Sequence, residues 1–188
     1  MEPANAASPK LKIPPSAATP DGRGYWLVAA DGGIFNFGDA AFAGSMGGQH
    51  LNASVVGMTD SDAGGYWLVA SDGGVFNFGN APFMGSMGGQ RLNAPVTGIA
   101  STPSGGGYWL VGSDGGIFNF GTAGFFGSTP GQGIVHQPPI TGISRTPSGS
   151  GYWLVGSGGA VYSYGDASFL GALSGVGLVA PLSGIAAS

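Results

Sequence analysis

The sequence has no cysteine and very little charge. Without cysteine the chain can form no disulfide, no thiolate nucleophile and no zinc–thiolate site, and the cellular compartment stays open. Charged residues account for 7% of the chain, against roughly 25% in typical globular proteins. The net charge is −4 and the five basic residues are scattered, so the sequence has no electrostatic footprint for nucleic acid or an anionic membrane. We therefore expect no nucleic-acid partner.

Long apolar runs and helical periodicity are also missing. No run approaches the roughly 20 residues that span a bilayer, which predicts no membrane insertion. The start of the chain lacks the apolar core of a signal peptide, and we interpret residues 1–20 as a linker. Residues 21–188 are then expected to form a single domain.

What the sequence has in abundance is glycine, with 40 residues, interleaved with aromatic and β-branched residues in a repeated pattern. The tripeptide Gly-Tyr-Trp recurs every 41 to 44 residues. Four short segments recur with it, for example SVVGM, GYWLV, GVFNFG and PFMGS. Their aromatic and β-branched character, bounded by Gly, Pro, Asp or Asn, is typical of β-strands. The Asp-Gly-Gly between the second and third segments predicts a tight hairpin turn.

Four antiparallel strands in roughly 42 residues are the content of one propeller blade. The sequence therefore predicts an all-β propeller of four blades with four antiparallel strands each. The YWLV and IFNF segments are apolar on both faces, as expected for a sheet packed between two neighbours. We interpret the tryptophans as packing between blades, with sugar stacking as the alternative. They are Trp26, Trp67, Trp109 and Trp153.

These segments resemble the GYWLVASDGGIFNFGDA-type repeats of secreted and cell-wall-associated actinobacterial proteins. They are also similar to the propeller repeat of the chromosome-condensation-regulator family, in which an apolar strand, an acidic-Gly turn, an aromatic strand ending in Gly and a YGQLG-like segment follow one another. Residues 68–88 follow that order. The resemblance covers residues 22–188 and implies a propeller in an extracellular or cell-wall-associated protein. That family has more blades than this chain has repeats, which leaves a monomer or a small homo-oligomer open.

The motifs offer no catalytic constellation. His50 and His136 lie in non-equivalent loops, away from a motif serine or a carboxylate pair. The GSMGGQ segments lack the Gly-Lys-Ser/Thr ending and open no helix, which excludes a phosphate loop. The turn aspartates are isolated, whereas a calcium loop needs several carboxylates close together. We therefore expect no enzyme activity, no metal and no cofactor.

Loops over a rigid scaffold are the usual place of recognition. In an up-and-down meander the Asp-Gly-Gly turns and the long connections such as GSMGGQHLNAS lie on one face, and the Thr-Pro-Ser-Gly and Gly-Asp-Ala turns lie on the other. We predict that any ligand binds the face of the long connections, with plain solvated connectors as the alternative. The candidate ligand-binding residues are Gln49, His50, Asn52, Gln90, Arg91, Asn93 and Gln132.

An asparagine recurs in the third segment, at Asn36, Asn77 and Asn119, and Ser163 replaces it in the last repeat. A polar side chain inside an apolar strand must find a hydrogen-bond partner. We expect that partner in a neighbouring strand, with a ligand contact as the alternative.

Three functions follow from these observations. The first is a non-catalytic binding module of an extracellular or cell-wall-associated protein, with glycan as the ligand class. The second is a structural repeat scaffold or a propeller for protein–protein interaction or oligomerisation, which near-identical repeats suit. The third, an enzyme, is disfavoured by the missing constellation.

The two ends of the chain predict how the ring closes. Residues 13–18 occupy the place of a first strand before Tyr25, but the Pro14-Pro15 pair removes two backbone donors. Residues 181–186 form an intact first segment. We therefore predict that residues 181–186 close the ring by pairing with residues 25–28, and that residues 1–12 are mobile.

Overall fold

The computed structural model describes residues 17–187, and their twelve strands form four three-stranded antiparallel sheets, one per repeat. The strands are β1 (Ala17–Ala18), β2 (Gly24–Val28), β3 (Ile34–Gly38), β4 (Val55–Ser61), β5 (Gly65–Ala70), β6 (Val75–Gly79), β7 (Val96–Ser101), β8 (Gly107–Gly112), β9 (Ile117–Gly121), β10 (Ile140–Arg145), β11 (Gly151–Gly156) and β12 (Val161–Gly165). A 3₁₀ turn covers Pro130–Gln132. Within residues 17–187 no helix is long and apolar enough to cross a membrane. The predicted mobility of residues 1–12 concerns a segment outside the described residues.

The central strand of each sheet is the GYWLV segment, and the hairpin turn after it fixes the register. In the second repeat Trp67 lies opposite Asn77 on the next strand. Asp72 Oδ1 accepts a hydrogen bond from the Gly74 amide at 2.9 Å. Gly73 between them has φ 82°, a left-handed conformation that glycine adopts without strain. The same aspartate bond recurs in the first and third repeats, which confirms the predicted Asp-Gly-Gly turn.

Neighbouring sheets pack through aromatic side chains of their central strands. Trp67 and Tyr108 of the next sheet are both fully buried, with ring centroids 5.3 Å apart. Equivalent Trp–Tyr pairs join the first sheet to the second and the third to the fourth. Packing between blades is thereby confirmed for three of the tryptophans. Trp153 of the last sheet is only half-buried.

The predicted fourth strand of each blade is wrong, because the fourth segment forms no ladder with its sheet. Hydrogen bonds from side chains, and not backbone pairing, hold the fourth segment against its sheet. In the third repeat Trp109 Nε1 donates to the Gly124 carbonyl at 2.6 Å, and Asn119 Nδ2 donates to the Ala123 carbonyl at 2.9 Å. Gly127 has φ 137°, which bends the chain out of strand geometry. The recurring asparagine therefore bonds four residues ahead in its own repeat and not to a neighbouring strand.

We use the word blade for one sheet together with the segment that follows its third strand. Blades 1 to 4 comprise residues 17–45, 55–86, 96–128 and 140–172. The first strands of blades 2, 3 and 4 lie side by side, so the blades fan out from a common inner edge.

In blade 1 the place of the first strand, at the inner edge beside the central strand, is taken by Ala17–Ala18, which pairs with Trp26 and Tyr25. The prediction that residues 181–186 occupy this place is therefore wrong. The Pro14-Pro15 pair precedes the two paired alanines in sequence, so the missing proline donors do not affect this ladder. A short strand thus exists in the segment that the sequence indicated as a linker.

The C-terminal segment lies along blade 4 instead. The Leu182 amide donates to the Ser157 carbonyl at 3.0 Å, and the Ala187 amide donates to Ser144 Oγ at 3.2 Å. The amide of Ile140 makes the corresponding bond to Ser113 in the preceding blade. Residues 182–187 therefore follow β10 as β10 follows β7, in the position of a further first strand.

Candidate functional site

The long connections and the Asp-Gly-Gly turns lie on one face, as the strand parity predicts. The Met87 amide in a long connection donates to the Gly73 carbonyl of the turn at 2.9 Å. The remaining turns meet on the opposite face, where Thr146 Oγ1 donates to Asp166 at 2.8 Å. We call the first of these the long-connection face.

The candidate residues from the sequence are all exposed, and only some of them are brought together. The exposed set is Gln49, His50, Asn52, Gln90, Arg91, Asn93 and Gln132. His50 and Asn52 line one groove, and Asn93 lines an equivalent groove one blade further on. The other four line neither groove. Gln132 Oε1 instead accepts a weak hydrogen bond from the Tyr164 hydroxyl at 3.4 Å.

The two grooves are built from the same repeat positions. Groove 1 has a volume of about 310 Å³ and lies where the connection from blade 1 passes blade 2. Groove 2 has a volume of about 280 Å³ and lies one blade later. Each contains an asparagine of the connection, an aspartate of the turn and two phenylalanines. In groove 1 they are Asn52, Asp72, Phe76 and Phe83, and in groove 2 they are Asn93, Asp114, Phe118 and Phe125.

The local fold fixes the polar groups of each groove while leaving bonding capacity free. Asp72 uses Oδ1 for the hairpin turn, so its carboxylate is held in one orientation, while Oδ2 makes no hydrogen bond among the described residues. Asn52 is exposed and its side chain makes no hydrogen bond among the described residues. Phe83 is 57% exposed. A rigid carboxylate, a free carboxamide and an exposed aromatic face therefore stand together.

The corresponding place between blades 3 and 4 has different chemistry. Gly158 replaces the turn aspartate. Gln137 turns inward, where its Nε2 donates to the Asp114 carbonyl at 2.8 Å and to Thr129 Oγ1 at 3.0 Å. Phe169 is still exposed there, so this boundary retains the aromatic ring and lacks the carboxylate.

A third groove lies on the opposite face, where the first strands of blades 2, 3 and 4 end. This central groove has a volume of about 310 Å³ and contains Asp60 and Arg145. Thr59 Oγ1 donates to Ser101 Oγ between them at 3.0 Å. Burial raises the pKa of the Asp60 carboxyl, and the neighbouring Asp62 carboxylate raises it further. The central groove thus holds one carboxyl group with a raised pKa and one guanidinium group.

The sequence reasoning missed the central groove and the groove phenylalanines. Asp60, Ser101 and Arg145 occupy the same register position, opposite the tyrosine of the central strand in their respective blades. Variation at one position of otherwise near-identical repeats was the available signal. The sequence predicts the phenylalanines of the fourth segment as strand residues, because aromatic residues in a short segment bounded by Gly or Pro are typical of strands.

Among residues 17–187 no group of three or more His, Asp or Glu side chains could hold a metal ion. The tryptophan and asparagine side chains are committed to structural hydrogen bonds in the first three repeats. These tryptophan and asparagine side chains therefore have a structural role in those repeats.

The sequence matches no protein-family model and no curated protein, whereas the fold matches solved structures. One is the β-propeller domain of Cps50 (Swd1) from Myceliophteria thermophila, with a TM-score of 0.52 and 12% identity over 85% of this chain and 55% of that chain. Another is a protein of unknown function from Bacteroides thetaiotaomicron, with a TM-score of 0.55 and 14% identity over 82% of this chain and 45% of that chain. This chain spans about half the length of the structures it matches. The fold of its four repeats is that of a β-propeller.

Proposed function

We propose that this protein is a non-catalytic binding module whose ligands are glycans, bound in groove 1 and groove 2 of the long-connection face. The observation that carries the proposal is the duplication of one groove. Both grooves place an exposed phenylalanine beside an asparagine and an aspartate from the same repeat positions. The extracellular or cell-wall setting that the sequence resemblance implies is part of the same proposal.

The groove chemistry suits a sugar ring. A pyranose offers an apolar face of C–H groups and a rim of hydroxyls. An exposed ring such as Phe83 can stack on the first. A carboxylate oxygen of Asp72 and the carboxamide of Asn52 can accept from and donate to the second. Because Asp72 is already oriented by its turn, little ordering entropy is lost on binding.

The same grooves do not support glycosidic hydrolysis. Glycosidases use a pair of carboxyl groups that flank the scissile bond, roughly 5–9.5 Å apart. Groove 1 is lined by a single carboxylate, Asp72, and groove 2 by a single carboxylate, Asp114. This is why we propose binding without turnover.

Two equivalent grooves on consecutive blades favour a polymeric ligand. A shallow open groove binds a sugar weakly, but a second contact on the same chain becomes intramolecular once the first has formed. A polysaccharide that reaches both grooves would therefore bind more tightly than a short oligosaccharide.

The test is a glycan array followed by calorimetric titration with the best polysaccharide and with a short oligomer of it. We expect Phe83→Ala with Phe125→Ala to reduce polysaccharide affinity by at least about tenfold, because each truncation removes a stacking face. The matched control is Phe42→Ala with Phe169→Ala. These rings are exposed to the same degree, but the first has no preceding connection among the described residues and the second lacks the aspartate.

A blank array, or equal loss of affinity in both double variants, contradicts the proposal. A blank array together with a discrete oligomer favours the second function that the sequence suggests, an interaction or oligomerisation scaffold. The specific observation in favour of that function is exposed apolar surface at both ends of the row of blades, at Tyr25 and Phe37 of blade 1 and at Leu170 of blade 4.

A further inference from the structure

Each of the three interfaces between neighbouring blades in residues 17–187 contains one buried tyrosine whose hydroxyl bonds the backbone of the preceding blade. We call this tyrosine the plug and the backbone groups that it bonds the socket. The Tyr108 hydroxyl of blade 3 enters the fourth segment of blade 2, where it accepts from the Met84 amide at 3.3 Å and donates to the Gly85 carbonyl at 2.5 Å. Tyr66 and Tyr152 make the same two bonds to the blades before them. The socket is therefore a backbone N–H and a backbone carbonyl, presented by consecutive residues.

An aromatic ring accompanies each plug and explains the glycine of each socket. The Phe120 ring, which lies beside Tyr108 in blade 3, packs so close to Gly85 that a Cβ there would be 2.6 Å from the ring. The same contact occurs between Gly44 and the Phe78 ring and between Gly127 and the Tyr164 ring. One blade interface thus has three parts: a tyrosine hydroxyl, an aromatic ring and a glycine-containing socket.

The first blade carries this plug with no socket in the described residues. Tyr25 is 46% exposed, whereas Tyr66, Tyr108 and Tyr152 are fully buried. Phe37 stacks on Tyr25 with ring centroids 5.0 Å apart and is itself 44% exposed.

The last blade carries the complementary socket with no plug. Leu170 and Gly171 are the equivalents of Met84 and Gly85 in sequence. Leu170 is 86% exposed, and Gly171, with φ 128°, has no atom within 4 Å of where its Cβ would lie. Trp153 beside them is half-buried because it lacks the tyrosine that covers each earlier tryptophan.

We propose that the plug of blade 1 in one copy of this chain docks into the socket of blade 4 in a second copy. The new contact repeats an interface that the chain already makes three times. Tyr25 and Phe37 of the second copy cover Trp153, and the Tyr25 hydroxyl bonds the backbone at residues 170–171.

Two copies close such an assembly. A head-to-tail contact makes a ring when the rotations close and a filament when they do not. Propellers have about 4–8 blades, so two chains of four blades stay within the range and three chains exceed it. The chain also covers 55% of the β-propeller domain that it matches, so two copies supply the length of one such domain.

The C-terminal segment has a place in this interface. Residues 182–187 already lie along β10 as a further first strand would. By the register of the earlier blades, Ala186 and Ala187 fall opposite Trp26 and Tyr25 of the second copy. Ala17–Ala18 holds that place in the isolated chain with only two paired residues, so the longer segment of the partner displaces it on docking.

Sedimentation velocity and light scattering across the micromolar range test the proposal on the full 188-residue chain. We expect twice the 18.4 kDa mass of one chain. Leu170→Arg places an unpaired charge in both interfaces and should weaken dimerisation at least about a hundredfold. Val179→Arg is the matched control, since it also puts arginine at an exposed aliphatic position of the last repeat, and it should leave the dimer intact. Circular dichroism checks that both variants fold.

Complementation identifies the two faces. Tyr25→Glu should also be monomeric, and Phe37→Glu serves as a second variant of the same face. A mixture of Leu170→Arg with Tyr25→Glu should dimerise, because one interface is then wild type and the other pairs arginine with glutamate. A monomeric wild type overturns the proposal, as does a mass that keeps rising with concentration or a dimer that Leu170→Arg leaves intact. Glycan binding by the Leu170→Arg monomer is measured separately, so that failure of either proposal leaves the other standing.

Discussion

The tyrosine plug between blades 2 and 3 should be worth a measurable part of the stability of the protein. The Tyr108 hydroxyl exchanges two hydrogen bonds with backbone groups of the preceding blade, and its side chain is fully buried. Tyr108→Phe keeps the ring and removes both bonds. It leaves the Met84 amide and the Gly85 carbonyl without their partner in a partly buried site.

The expected cost follows from those two bonds. Each hydrogen bond contributes about 0.5–1.5 kcal/mol net, and leaving a buried group unsatisfied costs about 1–3 kcal/mol. We expect Tyr108→Phe to lower the free energy of unfolding by about 2 kcal/mol. For a chain of this size that corresponds to a decrease of about 4–8 °C in Tm.

The assay is urea denaturation with a matched control at the equivalent tyrosine of blade 1. Tyr25→Phe removes a hydroxyl that has no partner among the described residues, so it should change stability by less than about 0.5 kcal/mol. Both variants are measured in the Leu170→Arg background, which keeps the proposed dimer contact out of the comparison. Equal and small effects of the two substitutions would refute the role of the plug.

Three further predictions concern pH and the fourth segment. Burial raises the pKa of Asp60, so the folded state binds its proton more readily than the unfolded state does. Stability therefore falls as pH rises above the ordinary pKa of 3.8. Asp60→Asn should raise Tm at pH 7, and a series of Tm measurements should show that this gain vanishes in acid. Burial raises the pKa of Tyr164 from 10.0 to about 12, so stability should drop between those values, and Tyr164→Phe should flatten that drop in an alkaline denaturation series. Asn77→Ala removes the 3.0 Å hydrogen bond to the Ala81 carbonyl and should lower the free energy of unfolding by about 1 kcal/mol in urea denaturation. Ser163→Ala at the equivalent position should be neutral or stabilising, because the Ser163 hydroxyl is buried without a partner among the described residues.

The parts of the fold that sequence predicts well are those that depend on neighbouring residues. The Asp-Gly-Gly turn and the apolar strands on either side of it depend on residues close together in sequence, and the same sequence pattern recurs in successive repeats. Apolar residues on both faces of a strand also indicate that the strand is buried between two sheets, and Trp67 and Trp109 are fully buried in this way.

The fourth segment shows why a strand pattern alone can mislead. Its residues have strand composition, but its glycine at Gly85 has φ 125° and lies against the Phe120 ring of the next blade. The equivalent Gly171 in blade 4 has φ 128° although no blade follows it, and its segment is unpaired as well. The bend is therefore made within each repeat, by a glycine inside a segment whose composition is that of a strand.

The sequence predicts which face of the protein carries the candidate site, but it does not predict which side chains share a groove there. Strand parity places the long connections together, but which side chains share a groove depends on the angle between blades. That angle brings Asn52 to Phe83 and leaves Gln49 outside. The same curvature brings Asp60 towards Arg145, whereas the sequence separates them by two repeats.

The sockets consist of main-chain atoms, and this affects how the number of blades can change in evolution. The Tyr108 hydroxyl bonds an amide that every residue type except proline can supply, and the carbonyl of a glycine that recurs in each repeat. The residue that supplies the amide accordingly differs between blades, and it is Ala43, Met84 or Phe126. A blade gained or lost by unequal recombination would meet a compatible neighbour on both sides without compensating substitutions. The number of blades can therefore change without loss of the interfaces that join them.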